Sequence, residues 1–311
     1  ETIIVTGTRR GERSAADSPA PVDVVSSAEL TNQADNDIAN ILRTSVPSFN
    51  VNTQPISDAA TLIRPANLRG LSPDNTLVLV NGKRLHRASV IAFLGGGISD
   101  GAQGPDISTI PAIGLKQVEV LRDGASSQYG SDAIAGVINF ILKDDAEGGA
   151  VEVKYGETYE SDGTNYQIAG NIGLPLGENG FLNLSGEYQE TDPTSRSVQR
   201  TDAAALIAAG NTAVADPAQI WGQPEVRGDL KLFANSAIEL NESHELYAFG
   251  SYAERETEGG FFFRNPTNRG DGWAEWHAPH LKPAYLFALV AGNLKAHGAR
   301  FTTASGAAVE L

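Results

Sequence analysis

The chain has no cysteine, so it can build neither a disulfide framework nor thiol chemistry. That absence suits an oxidising compartment without defining one. No run reaches the roughly 18 to 20 apolar residues of a membrane helix. A barrel of alternating strands would escape that test. Net positive charge is missing as well: the formal charge of −15 disfavours non-specific nucleic-acid binding. Nucleotide motifs fail on inspection. Gly82-Lys83 lacks the upstream glycine and the following Ser or Thr of a phosphate loop, and Gly95, Gly96 and Gly97 run into no helical pattern. No triad or metal spacing emerges, so no enzyme activity, catalytic residue, metal site or cofactor is expected. The chain starts at Glu1 with neither methionine nor signal peptide, and a leader is expected to have been removed or omitted.

What is present is glycine, at 33 of 311 residues, as many turns and close-packed strands require. The length is a prior for two domains. The most informative stretch is Asp106 to Lys143. Lys116 to Leu121 alternates, with Val118 and Val120 on one side and Gln117, Glu119 and Leu121 on the other. Asp123-Gly124 breaks it. Ala125 to Gly136 is small, polar and helix-sized, and Val137 to Leu142 is a second β-rich run.

This stretch resembles the end of the plug domain of TonB-dependent outer-membrane transporters. The residues that carry the resemblance are Ile110-Pro111, Glu119-Val120-Leu121-Arg122, Ser126 to Asn139, and Lys143. Asp123 departs from the family, which usually has an Arg-Gly pair there.

Glu1 to Thr8 is β-prone and can be an ordinary N-terminal strand. It also resembles the TonB box, a flexible segment that adds as a strand to TonB. Strand addition needs exposed extended backbone rather than particular side chains. Thr2, Ile3, Ile4, Val5 and Thr6 are the candidates. Gly11 to Pro21 reads as a linker. Val22 to Val25 is a short strand, Ser26 and Ser27 before Glu29 start a helix, and Asp35 or Asn36 can cap a second helix that carries Ile38, Ile41 and Leu42. Pro47 ends it. Val51 to Thr61 is a polar loop. Thr76 to Leu85 is a hairpin around Asn81-Gly82.

Arg69 and Arg122 resemble the family's paired plug arginines, which face acidic residues on the barrel wall. Together with Glu119 they are the expected plug–barrel contacts. Buried arginines need carboxylate partners, whereas surface ones do not. His86 to Pro105 is a glycine-rich loop that the resemblance places at the plug apex. Arg84, His86, Arg87 and Phe93 are the ligand-binding candidates, although a lone His is more often a surface residue.

After Asp145 the pattern changes to longer alternating runs: 150–159, 166–174, 181–188, 230–240 and 246–253. Each is about ten residues, enough to cross a bilayer when tilted. Connections 175–180 and 241–243 are tight while 191–227 is long, the asymmetry of periplasmic turns and extracellular loops. Asp202 to Ala209 can form a helix within the long loop. A soluble antiparallel sandwich also alternates. Five strands cannot close a barrel that the family builds from about twenty-two. The chain is therefore expected to be a fragment or not a working transporter.

In the tail, Ala284 to Ala291 is continuously apolar and reads as a strand buried on both faces. Trp276, Lys282-Pro283, Tyr285 to Gly292 and Phe301 to Gly306 resemble a segment of the N-terminal domain of bacterial aminopeptidase N, a zinc peptidase. Its His-Glu-x-x-His motif is absent, and His277 and His280 flank an Ala-Pro with no general-base Glu.

The fold class expected is an α+β plug followed by an incomplete antiparallel transmembrane β-barrel, with a β-rich tail foreign to the barrel. The parts are 1–10 (box-like), 11–146 (plug), 147–270 (first five or so strands) and 273–311 (aminopeptidase-N-like). The resemblance implies import of a siderophore, cobalamin or carbohydrate across a Gram-negative outer membrane. The partners implied are TonB with its inner-membrane energising complex, outer-membrane lipid and a small-molecule or iron-chelate ligand. Few aromatics sit in the apical loops, so the ligand is left open. An inactive peptidase fragment and a soluble plug-like binding module are the competing classes.

Overall fold

The computed structural model describes residues 3, 4, 6, 13–15, 20–33, 35–51, 64–88, 91, 97–199, 201–212, 214–220, 222–241, 244–258, 261–264, 286–292, 300–302 and 308–310. Thr2, Val5, Phe93, most of the loop 51–61 and the junction near 270–273 lie outside them.

The first unit is a mixed sheet covered on both faces. Its strands are β1 (Val22–Ser26), β2 (Thr76–Val80), β3 (Lys83–Arg84), β4 (Leu115–Leu121) and β5 (Gly136–Leu142), in the spatial order β1-β4-β5-β2-β3. Helix α1 (Ser27–Thr31) begins with a capping box. Ser26 Oγ accepts the Glu29 N–H at 3.3 Å, and the Glu29 carboxylate accepts the Ser26 N–H at 2.8 Å. Helix α2 (Ile38–Ser45) is capped by Asp37, one or two residues later than the sequence suggests. The buried positions Ile38, Ala39, Ile41 and Leu42 set where its first turn falls. Asp35 instead accepts the Asp37 N–H at 2.8 Å.

Asn81 and Gly82 both have positive φ, 47° and 75°, as a two-residue hairpin demands. The returning strand β3 is only two residues long, and β2 takes its second partner from β5 in parallel, Thr76 opposite Gly136. Segment 125–136 is not one helix. Helix α3 (Ser126–Tyr129) stops at Gly130, whose φ is +91°, and a 3-10 turn follows over Ser131–Ala133. Val118, Val120, Ile138 and Phe140 pack with Leu30, Ile41 and Leu42 on one side of the sheet. Leu77, Leu79, Leu121 and Val137 form a smaller cluster on the other.

The second unit is an antiparallel meander of β6 (Gly149–Gly156), β7 (Asn165–Pro175), β8 (Gly180–Thr191), β9 (Glu225–Asn241), β10 (His244–Glu258) and β11 (Leu286–Gly292), each beside the next. Strands β9 and β10, at 17 and 15 residues, are longer than their alternation suggests. The tail, expected to be foreign to the barrel, sends β11 onto the open edge of β10, from Glu245 opposite Gly292 to Ser251 opposite Leu286. An uncovered edge carries unpaired backbone groups that such a strand satisfies. The long connection holds α4 (Thr201–Ala208) and a strand, Val214–Ile220, paired with Phe261–Arg264.

The sheet is inside-out for water. Asn183, Ser185, Glu187, Gln189, Asp229, Lys231 and Asn235 are buried, while Val151, Val153, Ile168, Ile172 and Leu184 of the opposite face are exposed. The plug lies on the polar face, and Phe233 and Phe249 of the sheet join its core. An apolar face of this extent is what a bilayer-facing wall requires.

Candidate functional site at the plug and sheet interface

The N-terminal segment is not free. Ile3–Ile4 pairs antiparallel with Arg13–Ser14, inside the stretch expected to be a linker. Ile4 is 0% and Thr6 1% exposed. The Thr6 N–H donates to Glu119 Oε2 at 2.7 Å, and Asn139 Nδ2 donates to Thr6 Oγ1 at 3.0 Å. Glu119, also fully buried, takes a second bond from Gln117 Nε2 at 2.8 Å. Asn139 Oδ1 accepts the Gly82 N–H at 3.0 Å. The plug thus satisfies donors that an added strand would offer to a partner.

Glu119 is therefore a contact within the plug, to the N-terminal segment. Arg122 Nε lies 2.6 Å from Asp23 Oδ2, an ion pair without hydrogen-bond geometry. Arg69 lies 4.0 Å from Asp123, with both side chains largely exposed. These partners belong to the plug and not to the wall. The register that sets Val22 opposite Leu121 brings Asp23 beside Arg122.

Arg84 pairs with Asp132, and Arg87 approaches the same carboxylate at 4.0 Å. The Arg84 hydrogen bond holds the Asp132 carboxyl below its ordinary value. His86 stands exposed between them in sequence. Partial burial pushes its imidazole below the usual value, against the pull of Asp106.

The contacts that join plug to sheet come from residues other than Arg69, Arg122 and Glu119. Arg255 on β10 donates to Ser108 Oγ of the plug at 3.0 Å and to Asp229 at 2.6 Å. Within the sheet, beneath that contact, Gln189 Nε2 donates to Asp229 at 2.9 Å, and Lys231 Nζ lies 2.5 Å from Glu187. Asn81 Nδ2 donates to the Tyr247 hydroxyl, Asn235 Nδ2 to the Lys143 carbonyl at 2.9 Å, and Asn36 Nδ2 to Asn165 at 3.0 Å. Gly114 comes so close that an added Cβ would lie 2.7 Å from Ser185 Oγ. A polar cavity of about 690 Å³ remains between α2 and the strands, bordered by Asp37, Arg64, Gln189 and Arg255. Burial pushes the Asp37 carboxyl up, but Arg64 and Arg255 outweigh it and leave it below its ordinary value. The available signal was the run of polar residues at every second position of 183–189.

Residues 14–137 match the family model described as TonB-dependent Receptor Plug Domain. The probable TonB-dependent siderophore receptor PirA of Acinetobacter baumannii is 28% identical over 206 residues, 65% of this chain and 26% of that protein. The vitamin B12 transporter BtuB of Photobacterium profundum is 31% identical over 190 residues, 61% of this chain and 28% of that protein. The crystal structure of the A. baumannii PirA superposes with a TM-score of 0.57 at 25% identity, covering 77% of this chain and 32% of that one. A mutant ferric enterobactin receptor (PfeA) from Pseudomonas aeruginosa shares the fold, with a TM-score of 0.56 at 22% identity over 76% of this chain and 33% of that one. The chain spans about a quarter of the length of these curated relatives. It carries a plug domain followed by barrel-like strands of the kind found in TonB-dependent receptors, which are transport receptors and not enzymes.

Proposed function

We propose that the chain supplies the plug, the partner-binding segment and the first wall strands of an outer-membrane importer driven by TonB. The observation that supports this most is the seating of the plug on a buried polar sheet face, with Thr6 bonded to Glu119 inside it. In this reading the parts are the box at 1–10, the plug at 11–146 and the wall at 147–270. Thr2 to Thr6 add as a strand to TonB, which is coupled to its energising complex in the inner membrane, once Thr6 is released from Glu119. Ligand meets Arg84, His86, Arg87 and Phe93 at the apex, where it competes with Asp132 for the two arginines. Arg69, Arg122 and Glu119 hold the plug in its resting form. Relatives named for siderophore and vitamin B12 transport support an iron chelate or cobalamin as cargo ahead of a carbohydrate.

Replacing Ile4 with Pro removes a backbone donor from the added strand. Binding of the TonB periplasmic domain to the full chain is expected to fall; unchanged affinity rules out the box assignment. A soluble plug-like binding module is the second reading. It would leave Val151, Val153 and Tyr155 in water at 81%, 71% and 71% exposure. Recovery of the chain in the soluble periplasm would favour it.

A further inference from the structure

We infer that the outward face of the sheet carries a trough for one phospholipid acyl chain, floored by Gly170 and Gly186. The inference rests on the membrane reading of that face. Gly170 on β7 and Gly186 on β8 stand directly opposite each other, with Val151 and Leu232 at the two ends of the same row. Ile168 and Tyr188 form the wall one row above, and Ile172 and Leu184 the wall one row below. The walls are about 13 Å apart along the backbone, which leaves a slot one chain wide once side chains are in place. The depression is almost wholly apolar and has a volume of about 950 Å³. Glu187 borders it but turns its carboxylate to Lys231 on the inner face.

Neither glycine is required by the fold. Neither has the positive φ that other glycines of the chain show. An added Cβ at Gly170 would meet only the Ala150 carbonyl at 4.0 Å, and at Gly186 the flexible tip of Leu232 at 3.2 Å and the Lys231 carbonyl at 3.9 Å. Glycine weakens a strand interior, so two in register are a cost to the sheet with no return in packing. A ligand that fills the gap supplies one.

Position selects the ligand. Tyr155, Tyr166 and Tyr188 cluster toward one end of the outward face, as in an interfacial girdle. The trough lies below them among apolar rows, at the depth of hydrocarbon. It opens toward Gly148 and Gly149, at the start of β6 beside the plug, the periplasmic end of the wall. A phospholipid chain from that leaflet reaches it directly. A second copy of the sheet would offer rows of convex side chains that bridge the slot without entering it.

The test uses the full chain in vesicles of phosphatidylethanolamine and phosphatidylglycerol. Insertion is checked first by resistance to alkaline extraction. The protein is then washed in mild detergent, and native mass spectrometry counts retained phospholipid. The wild type is expected to keep one lipid, and Gly170→Leu to lower that retention at least about fivefold. Ala248→Leu, on the same face outside the trough, is expected to retain it. Gly170→Leu is also expected to be no less heat-stable than the wild type, because its Cβ enters open space. Equal retention in wild type and Gly170→Leu, or none in an inserted wild type, overturns the trough alone. A chain extracted by alkali defeats the membrane reading, and the trough with it.

Discussion

Glu119 and Asn139 face one another across β4 and β5 and hold Thr6 from two sides. One accepts its amide at 2.7 Å and the other donates to its hydroxyl at 3.0 Å. A hydrogen bond to a charged group contributes about 1.5–3 kcal/mol. Glu119→Ala is therefore expected to free the segment and raise the apparent affinity for TonB by about tenfold. Asn139→Ala should act in the same direction with a smaller gain. Titration of the TonB periplasmic domain into each variant checks this, and an affinity lower than wild type in both contradicts it.

The pair Lys231 and Glu187 is almost fully enclosed, at 4% and 2% side-chain exposure. Removing one partner strands the other charge, a loss of about 3–5 kcal/mol. Lys231→Ala should therefore lower the urea midpoint sharply in detergent, while Lys231→Met combined with Glu187→Met should recover most of it. A double variant no better than the single would show that the pair is not the cause.

Gly114 tests the docking of plug on wall. Gly114→Val should loosen the plug from β8 at a cost of about 1–3 kcal/mol, because its Cβ meets Ser185 Oγ. Ser185→Gly in the same chain should relieve it. Protease sensitivity of the plug relative to the sheet reads both effects.

The carboxyl of Asp37 is held low by Arg64 and Arg255 despite its burial. A native value below the unfolded one contributes stability above the unfolded pKa, about 3.9 for Asp. That contribution disappears as the pH falls through the native value. Asp37→Asn keeps a competent helix cap but loses the ion pair. The stability gap between wild type and Asp37→Asn should be constant from pH 8 to about pH 5 and close on further acidification. A gap that widens in acid contradicts the assignment.

Local chemistry made much of the fold readable. Ser26 with Glu29, Asn81 with Gly82, and the alternation in 116–121 each specify an element within a few residues. Helix α4 in the connection 191–227 was legible by the same logic, whereas the strand Val214–Ile220 in it was not. Not every element was. Segment 125–136 has helical size, but Gly130 at φ +91° divides it, and nothing local distinguishes that glycine from a tolerated one. The site was less legible still, because its contacts span large separations: 113 residues from Thr6 to Glu119 and 147 from Ser108 to Arg255. Arg69 and Arg122 were expected against the wall, whereas the plug's own register supplies Asp23 and Asp123.

The most direct measurement is amide hydrogen exchange at Thr6 in the full chain. A segment latched by Glu119 and Asn139 predicts strong protection at rest, lost in Glu119→Ala and on addition of the TonB domain. Rapid exchange at Thr6 in the resting wild type would contradict the latch and leave the N-terminal segment free.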